Sequence, residues 1–468
     1  MVSQAARPNH RLGRLMTSAG FESRKAFARA VRRVSAEAGQ PVGCDHTSVS
    51  RWLHGTAPRA DTAVVIATVL SRALGRDVSL AEAGLSGSAV TPLDLGLRLA
   101  SDPDVAVDTF SGLLLADAED APAVTGGLYK PGPAKSVALE WLVERRDTAR
   151  FIAPHAAEPK VGISDVTRVR ATLPLFADLD GRFGGGHARR ALIAFLRDDV
   201  ERMLRGCTEA VRSQLFGTAA EACLLAAWMS YDSGRHGLAQ RYFVQALSLA
   251  DAARDRLLGA NVLDAMSHQA TFLGRYAEAV SLARGARAGA GSAATASLAA
   301  HFAAMEARAL AGLGDVHGCH RALAESAGLF ERRDPEADPS WFQYFDEAEL
   351  DAEFAHCLRD LGQYAQSARH AERVAVSGCG PRSDFFVTMV QADAYLGAGQ
   401  AEQACATVLA AALPLAGPLR SARCVDYLRA FRDRLVASAP AVLIRELDEQ
   451  ANQFEAWQMA SPGETDRL

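Results

Sequence analysis

The chain has 468 residues, of which 49% are hydrophobic and 22% charged, and its formal net charge is −5. It is too long for one ordinary domain, rich enough in apolar residues for packed cores, and not a polycation that could grip nucleic acid along its whole length. The charge is uneven: residues 1–75 carry eleven Lys+Arg against four Asp+Glu, a net of +7, leaving −12 on the remainder. A basic head on an acidic body points to a polyanionic partner for the head alone.

Residues 9–85 have the pattern of a small helical bundle. Leu12, Leu15 and Met16 recur at helical spacing. Ser23 is a good N-cap for a second helix that buries Phe27, Ala28 and Val31, and Gly39-Gln40-Pro41 ends it. The segment DHTSVSRWLHGTAPR (45–59) gives a third helix, capped by Asp45 and stopped at Gly55. A fourth follows from Asp61, with Val64, Ile66, Val69, Leu70 and Leu74 as its apolar stripe, and Leu80 and Leu85 close the core. SGSAVTP (86–92) has linker composition.

Residues 87–207 form a linker and helical connecting region. GGLYKPGPAK (126–135) is a turn-rich loop. After a Ser164 cap, Val166, Val169, Leu173, Phe176 and Leu179 make an amphipathic helix, which GRFGGG (181–186) breaks. Another helix spans 188–204.

From 208 to 438 the chain repeats. Gly234, Gly274, Gly314, Gly362 and Gly399 open equivalent turns, spaced 40, 40, 48 and 37 residues apart. Five positions after each glycine stands a small residue (Ala239, Ala279, Cys319, Ser367, Ala404), and seven before it another (Ala227, Ser267, Ala307, Ala355, Ala392). Each unit is therefore expected to be a helix, a tight turn and a second helix packed closely on the first, and the hairpins stack into a superhelix. DPSWFQYFDEAEL (338–350) is an insertion that extends one of these helices. Residues 439–468 are expected to be a C-terminal helix and tail. The fold class that follows is all-α: a small helical bundle at 1–86, identified below by resemblance as a helix-turn-helix, then an α-α hairpin superhelix.

If the third helix runs from His46, then Val49, Trp52 and Leu53 face the core. His46, Thr47, Ser50 and Arg51 share the opposite side, with Ser48 at its N-terminal edge. Short hydrogen-bonding side chains and a guanidinium are the chemistry of a major-groove reader: Arg pairs bidentately with guanine, and Thr offers a methyl or hydroxyl. The small-polar helix start, Val49-Ser50-Arg51-Trp52, Gly55 and Pro58 resemble the helix-turn-helix of XRE/Cro-like transcriptional regulators. The resemblance places base contacts on His46, Thr47, Ser50 and Arg51, and backbone contacts on Arg24, Lys25, Ser48, His54 and Arg59. The segment between Phe27-Ala28 and Asp45 is longer than that family's tight turn: either VRRVSAEAG extends the preceding helix or the turn is a loop.

The hairpin spacing is similar to tetratricopeptide repeats, with Gly234, Ala239, Phe243 and Ala246 matching best. The head, together with residues 228–250, 267–275 and 344–362, resembles a group of actinobacterial, Streptomyces-type regulators of development or secondary metabolism. The layout is also similar to the peptide-sensing regulators of Firmicutes. The resemblance implies a homodimeric DNA-binding protein that reads an inverted repeat in double-stranded DNA, with a peptide, small-molecule or protein effector at the repeats. The alternative is a helical-repeat scaffold for a protein or peptide partner, with a degenerate DNA-binding head.

No enzyme chemistry, cofactor or metal is expected. GGGH (184–187) lacks the Lys-Ser/Thr end of a phosphate loop and is better explained as a turn and helix start. His317-x-Cys319-His320 fits no common zinc spacing. The acidic run Asp346, Glu347, Glu349, Asp351 and Glu353 has the look of a solvated face. Beside it, Trp341, Phe342, Tyr344 and Phe345 either line an effector groove, through Trp341, Tyr344 and Phe345, or seal the insertion. The eight cysteines form no C-x-x-C pair and suit a reducing compartment. With neither a signal-like N-terminus nor a long apolar run, a cytoplasmic protein with no membrane partner is expected.

Overall fold

The computed structural model describes residues 9–37, 42–56, 58–76, 78, 80, 82–85, 94–143, 161–377 and 380–461. The Gly39–Pro41 stop, the 86–92 linker, Cys379 and the side chain of Val64 lie outside the described residues. Among those described, every regular element is helical apart from a lone bridge between Val161 and Cys207. The chain divides into two compact units, Met1–Pro92 and Leu93–Leu468.

The first unit contains α1 (His10–Ser18), α2 (Arg24–Glu37), α3 (His46–Leu53) and α4 (Ala60–Leu74). Its core is the expected one: Leu12, Phe27, Val31, Val49, Ile66 and Leu70 are fully buried, and Leu85 closes it. VRRVSAE does extend α2, to Glu37, and a connection still separates that helix from α3. Two contacts tie the connection back to α2: Arg32 donates to the Cys44 carbonyl at 3.1 Å, and the Ser35 hydroxyl accepts from the Val42 N–H at 3.1 Å.

The second unit opens with α5 (Pro103–Ala118), α6 (Pro122–Thr125), α7 (Pro133–Val143), α8 (Ile163–Phe183), α9 (Gly185–Phe195) and α10 (Glu201–Gly206). The cap of α8 is Gly162 rather than Ser164, with Asp165 accepting from the Gly162 N–H at 3.0 Å. The helix expected at 188–204 begins earlier and carries a π turn at Leu196–Val200 between α9 and α10. This connecting region belongs to the same compact unit as the repeats. Buried Asp117 of α5 accepts from Arg189 at 2.6 Å and from the Tyr242 hydroxyl at 2.7 Å.

Five helical hairpins follow: α11 (Glu209–Asp232) with α12 (His236–Ala253), α13 (Arg256–Phe272) with α14 (Tyr276–Ala290), α15 (Ala296–Gly312) with α16 (Val316–Phe330), α17 (Glu347–Asp360) with α18 (Tyr364–Ser377), and α19 (Pro381–Gly397) with α20 (Ala401–Thr407) and α21 (Leu413–Ala416). Each turn glycine adopts a left-handed φ between 70° and 78°. The N–H of the residue after each donates to the carbonyl five positions back, at 2.8–3.0 Å, as in Arg275 to Ala270 and Gln363 to Leu358. This is the Schellman arrangement, which favours glycine at the left-handed position. All ten small residues flanking the turns are completely buried, so the hairpin helices approach through them. The insertion at 338–350 does not extend a helix. One short 3-10 turn at Pro335–Ala337 precedes it and another at Ser340–Phe342 lies within it, before Asp346 caps α17, which begins at Glu347.

The last helices, α22 (Ala422–Ser438), α23 (Ala441–Ala451) and α24 (Glu455–Ala460), bring the end of the unit back to its beginning. Arg420 N–H donates to the Phe183 carbonyl at 2.6 Å, and Gly186 N–H donates to the Arg420 carbonyl at 2.9 Å. Buried Asp232 joins the two sides, accepting from Gly185 N–H at 2.8 Å and from the Ser421 hydroxyl at 2.9 Å. A Cβ on Gly185 would lie 2.5 Å from the Met229 carbonyl oxygen, and one on Gly186 would lie 2.7 Å from that of Arg420. The glycines of GGGH thus serve close packing, and the N–H groups of Gly185 and Gly186 are engaged by protein acceptors.

Candidate nucleic-acid interface

The third helix is short and held at both ends. One oxygen of Asp45 accepts the Ser48 N–H at 2.8 Å, the Ser48 hydroxyl at 2.9 Å and the Thr47 hydroxyl at 2.7 Å. Those hydrogen bonds, that of Thr47 first, hold the Asp45 carboxyl well below the usual carboxylate range. At the other end His54 Nδ1 sits 2.7 Å from the Ser50 carbonyl oxygen, and Gly55 leaves the helix at a φ of 96°. Val49 and Trp52 fasten the helix to the core, with Leu53 packed at its edge.

His46, Thr47 and Arg51 are exposed, and Ser50 is half-buried beside them. They occupy one stripe of the helix, as their i, i+1, i+4, i+5 spacing dictates. Arg24, exposed at the start of α2, donates to the Ser50 hydroxyl at 3.2 Å, which brings one expected phosphate contact against an expected base contact. Lys25, His54 and Arg59 are exposed. Ser48 departs from its expected backbone role: its side chain is buried and its hydroxyl is engaged by the Asp45 cap. Cys44, just before the cap, is buried, which pushes its thiol up to about 11. The geometry offers short polar groups and a guanidinium on a rigidly capped helix, with further cations alongside: a surface suited to an edge-on polyanion.

The aromatic insertion resolves differently from a groove. Phe342 and Phe345 are buried around His301, with ring centroids 5.5 and 4.8 Å from its imidazole. Phe345 is therefore core rather than groove lining. Trp341 is half-buried over Phe342, and Tyr344 alone of the three is exposed. The acidic run is solvated only at its start, where Asp346 and Glu347 are exposed. Glu353 is buried against Arg308 at 3.1 Å, and Asp351 against His370 and Arg373. Sequence reasoning missed these partners because Arg308 lies 45 residues from Glu353. Cys319 of the His317-x-Cys319-His320 set is fully buried. Among the described residues no group of three or more His, Cys, Asp or Glu could hold a metal ion, and no helix is long and apolar enough to cross a membrane.

Residues 12–86 match the family described as the SP15 N-terminal domain, and the match lies within the first compact unit. No curated protein matches the chain.

Proposed function

We propose that the protein is a sequence-specific, double-stranded DNA-binding transcriptional regulator of development or secondary metabolism that acts in the cytoplasm as a homodimer. The observation that carries this reading is the split of α3: Val49 and Trp52 in the core, and His46, Thr47, Ser50 and Arg51 on the outer side beside Arg24. The +7 charge of residues 1–75 supports it. Base edges are read by the α3 stripe, and phosphates are met by Arg24, Lys25, His54 and Arg59. Two copies on a two-fold axis read an inverted repeat, and the repeat unit provides dimerisation and effector control.

In vitro selection of random duplex DNA by the full chain tests the reading. The expected result is an enriched inverted repeat whose binding weakens steeply with salt and is lost on Arg51→Glu. An unchanged pool, both with the full chain and with residues 1–86, would leave the scaffold alternative.

A further inference from the structure

Where the last helices of the second unit pack back against α9 and the first repeat turn, they form an open cleft of about 500 Å³. Its walls come from four separate stretches: the start of α9, the first repeat turn at Ser233–Arg235, the Ala416–Val425 connection into α22, and α24. The volume falls within the range that accommodates a small organic ligand.

The charge of the lining is one-sided. Arg189, Arg190, Arg235 and Arg420 face the cavity, and Glu455 is the one carboxylate among its lining residues. The four guanidiniums are not equally available. Arg189 is buried and held by Asp117 at 2.6 Å, and Arg235 reaches Asp120 at 3.4 Å. Arg420 approaches Glu455 only at 3.9 Å with both side chains about 70% exposed, a pairing of little worth in water. Arg190 is exposed, and its charge acts on Asp120 without a close ion pair among the described residues. Ser421 caps α22 and, with Ala422, places the first turn of that 17-residue helix at the cavity, where its dipole adds to the positive potential.

From this arrangement we infer that the cavity binds a small phosphate-bearing anion, held by Arg190 and Arg420 with Arg235 in support. Guanidinium groups suit phosphate because their planar donors meet its oxygens in pairs. Such a ligand would bridge the start of α9 to the connection into α22, so occupancy would stiffen the closure that Asp232 already pins. The inference does not depend on the DNA-binding reading, because no cavity residue belongs to the head.

The test is calorimetric titration of the full chain with pyrophosphate and with ATP at 150 mM NaCl, with citrate as a carboxylate comparison. One site per chain is expected. Arg190→Ser/Arg420→Ser should weaken it at least about tenfold, the loss of charge-assisted hydrogen bonds. Glu455→Gln should tighten binding several-fold, a gain that misfolding would not mimic. Arg24→Ala/Arg51→Ala should leave binding unchanged, which separates this site from phosphate bound at the head. Absence of binding, loss with the head variant instead of the cavity variant, or equal affinity for citrate would overturn the assignment.

Discussion

Arg308 and Glu353 form an ion pair inside the repeat unit, with Nη1 donating to both carboxylate oxygens at 3.2 and 3.1 Å and each side chain only 10% exposed. The same nitrogen lies 3.2 Å from His268 Nε2. Burial and the neighbouring Arg308 and Arg423 keep that imidazole well below its ordinary pKa, so it is neutral. Removing one member strands the other. Glu353→Ala or Arg308→Ala should each cost about 3–5 kcal/mol, whereas the apolar double variant Arg308→Met/Glu353→Leu should cost far less. Urea unfolding of the four proteins checks this; equal losses for single and double variants would show that packing, not charge pairing, dominates.

Trp141 on α7 is wedged against two glycines of the second hairpin. A Cβ on Gly289 would lie 2.1 Å from its ring, and one on Gly259 2.6 Å. Arg256 stacks over the ring at 3.7 Å. Gly289→Ala should therefore destabilise by about 1–3 kcal/mol through overpacking and shift tryptophan emission to the red as the ring is displaced. Gly274→Ala is the contrast: nothing lies within 4 Å of its added Cβ, but its φ is 70°. It should cost about 1–2 kcal/mol from backbone strain alone and leave the emission unchanged.

These two glycines also mark what a sequence can disclose. Gly274 was legible because a left-handed turn between two periodic helices admits few other residues, and the small residues around it repeat at fixed offsets. The head was legible for a similar reason: Asp45, Val49 and Trp52 act within one helix, so cap and core follow from local spacing. Gly289 faces a tryptophan 148 positions away, and Asp232 finds Ser421 at a separation of 189. Nothing local signals either contact. The acidic run misled because the burial of Asp351 and Glu353 is decided by Arg308, His370 and Arg373 on other helices. Ser48 misled because a serine in the first turn can serve a cap as readily as a ligand.

Glu349, half-buried within that run, has its carboxyl pushed up to about 7 by burial first and by Glu353 second, against the opposing charge of His301. A carboxyl raised in the folded state is ionised more readily when unfolded. The folded chain thus loses stability as pH rises from the unfolded value, about 4.3, to the folded one. Glu349→Gln should leave Tm unchanged at pH 4 and raise it at pH 8. A Tm difference that does not vary between those pH values would mean that Glu349 titrates normally.

Ser48 and Arg51 separate holding the reading helix from using it. Arg51→Ala should weaken binding to the selected operator by about 1–3 kcal/mol at one base pair and relax the preference there, with little change in folding. Arg24→Ala should weaken all sequences alike and reduce the salt slope by about 1. Ser48→Ala removes a donor from the Asp45 cap, so it should lower the Tm of the head and leave base preference intact. Asp45→Ala should act in the same direction and more strongly. Because the folded Asp45 carboxyl is depressed, its contribution is complete above the unfolded pKa of about 3.9 and fades as pH falls toward the folded value. The Asp45→Ala penalty should therefore shrink below pH 4. Selection and thermal melts on the same four variants check the division. A changed base preference in Ser48→Ala with no loss of Tm would place Ser48 among the reading residues after all.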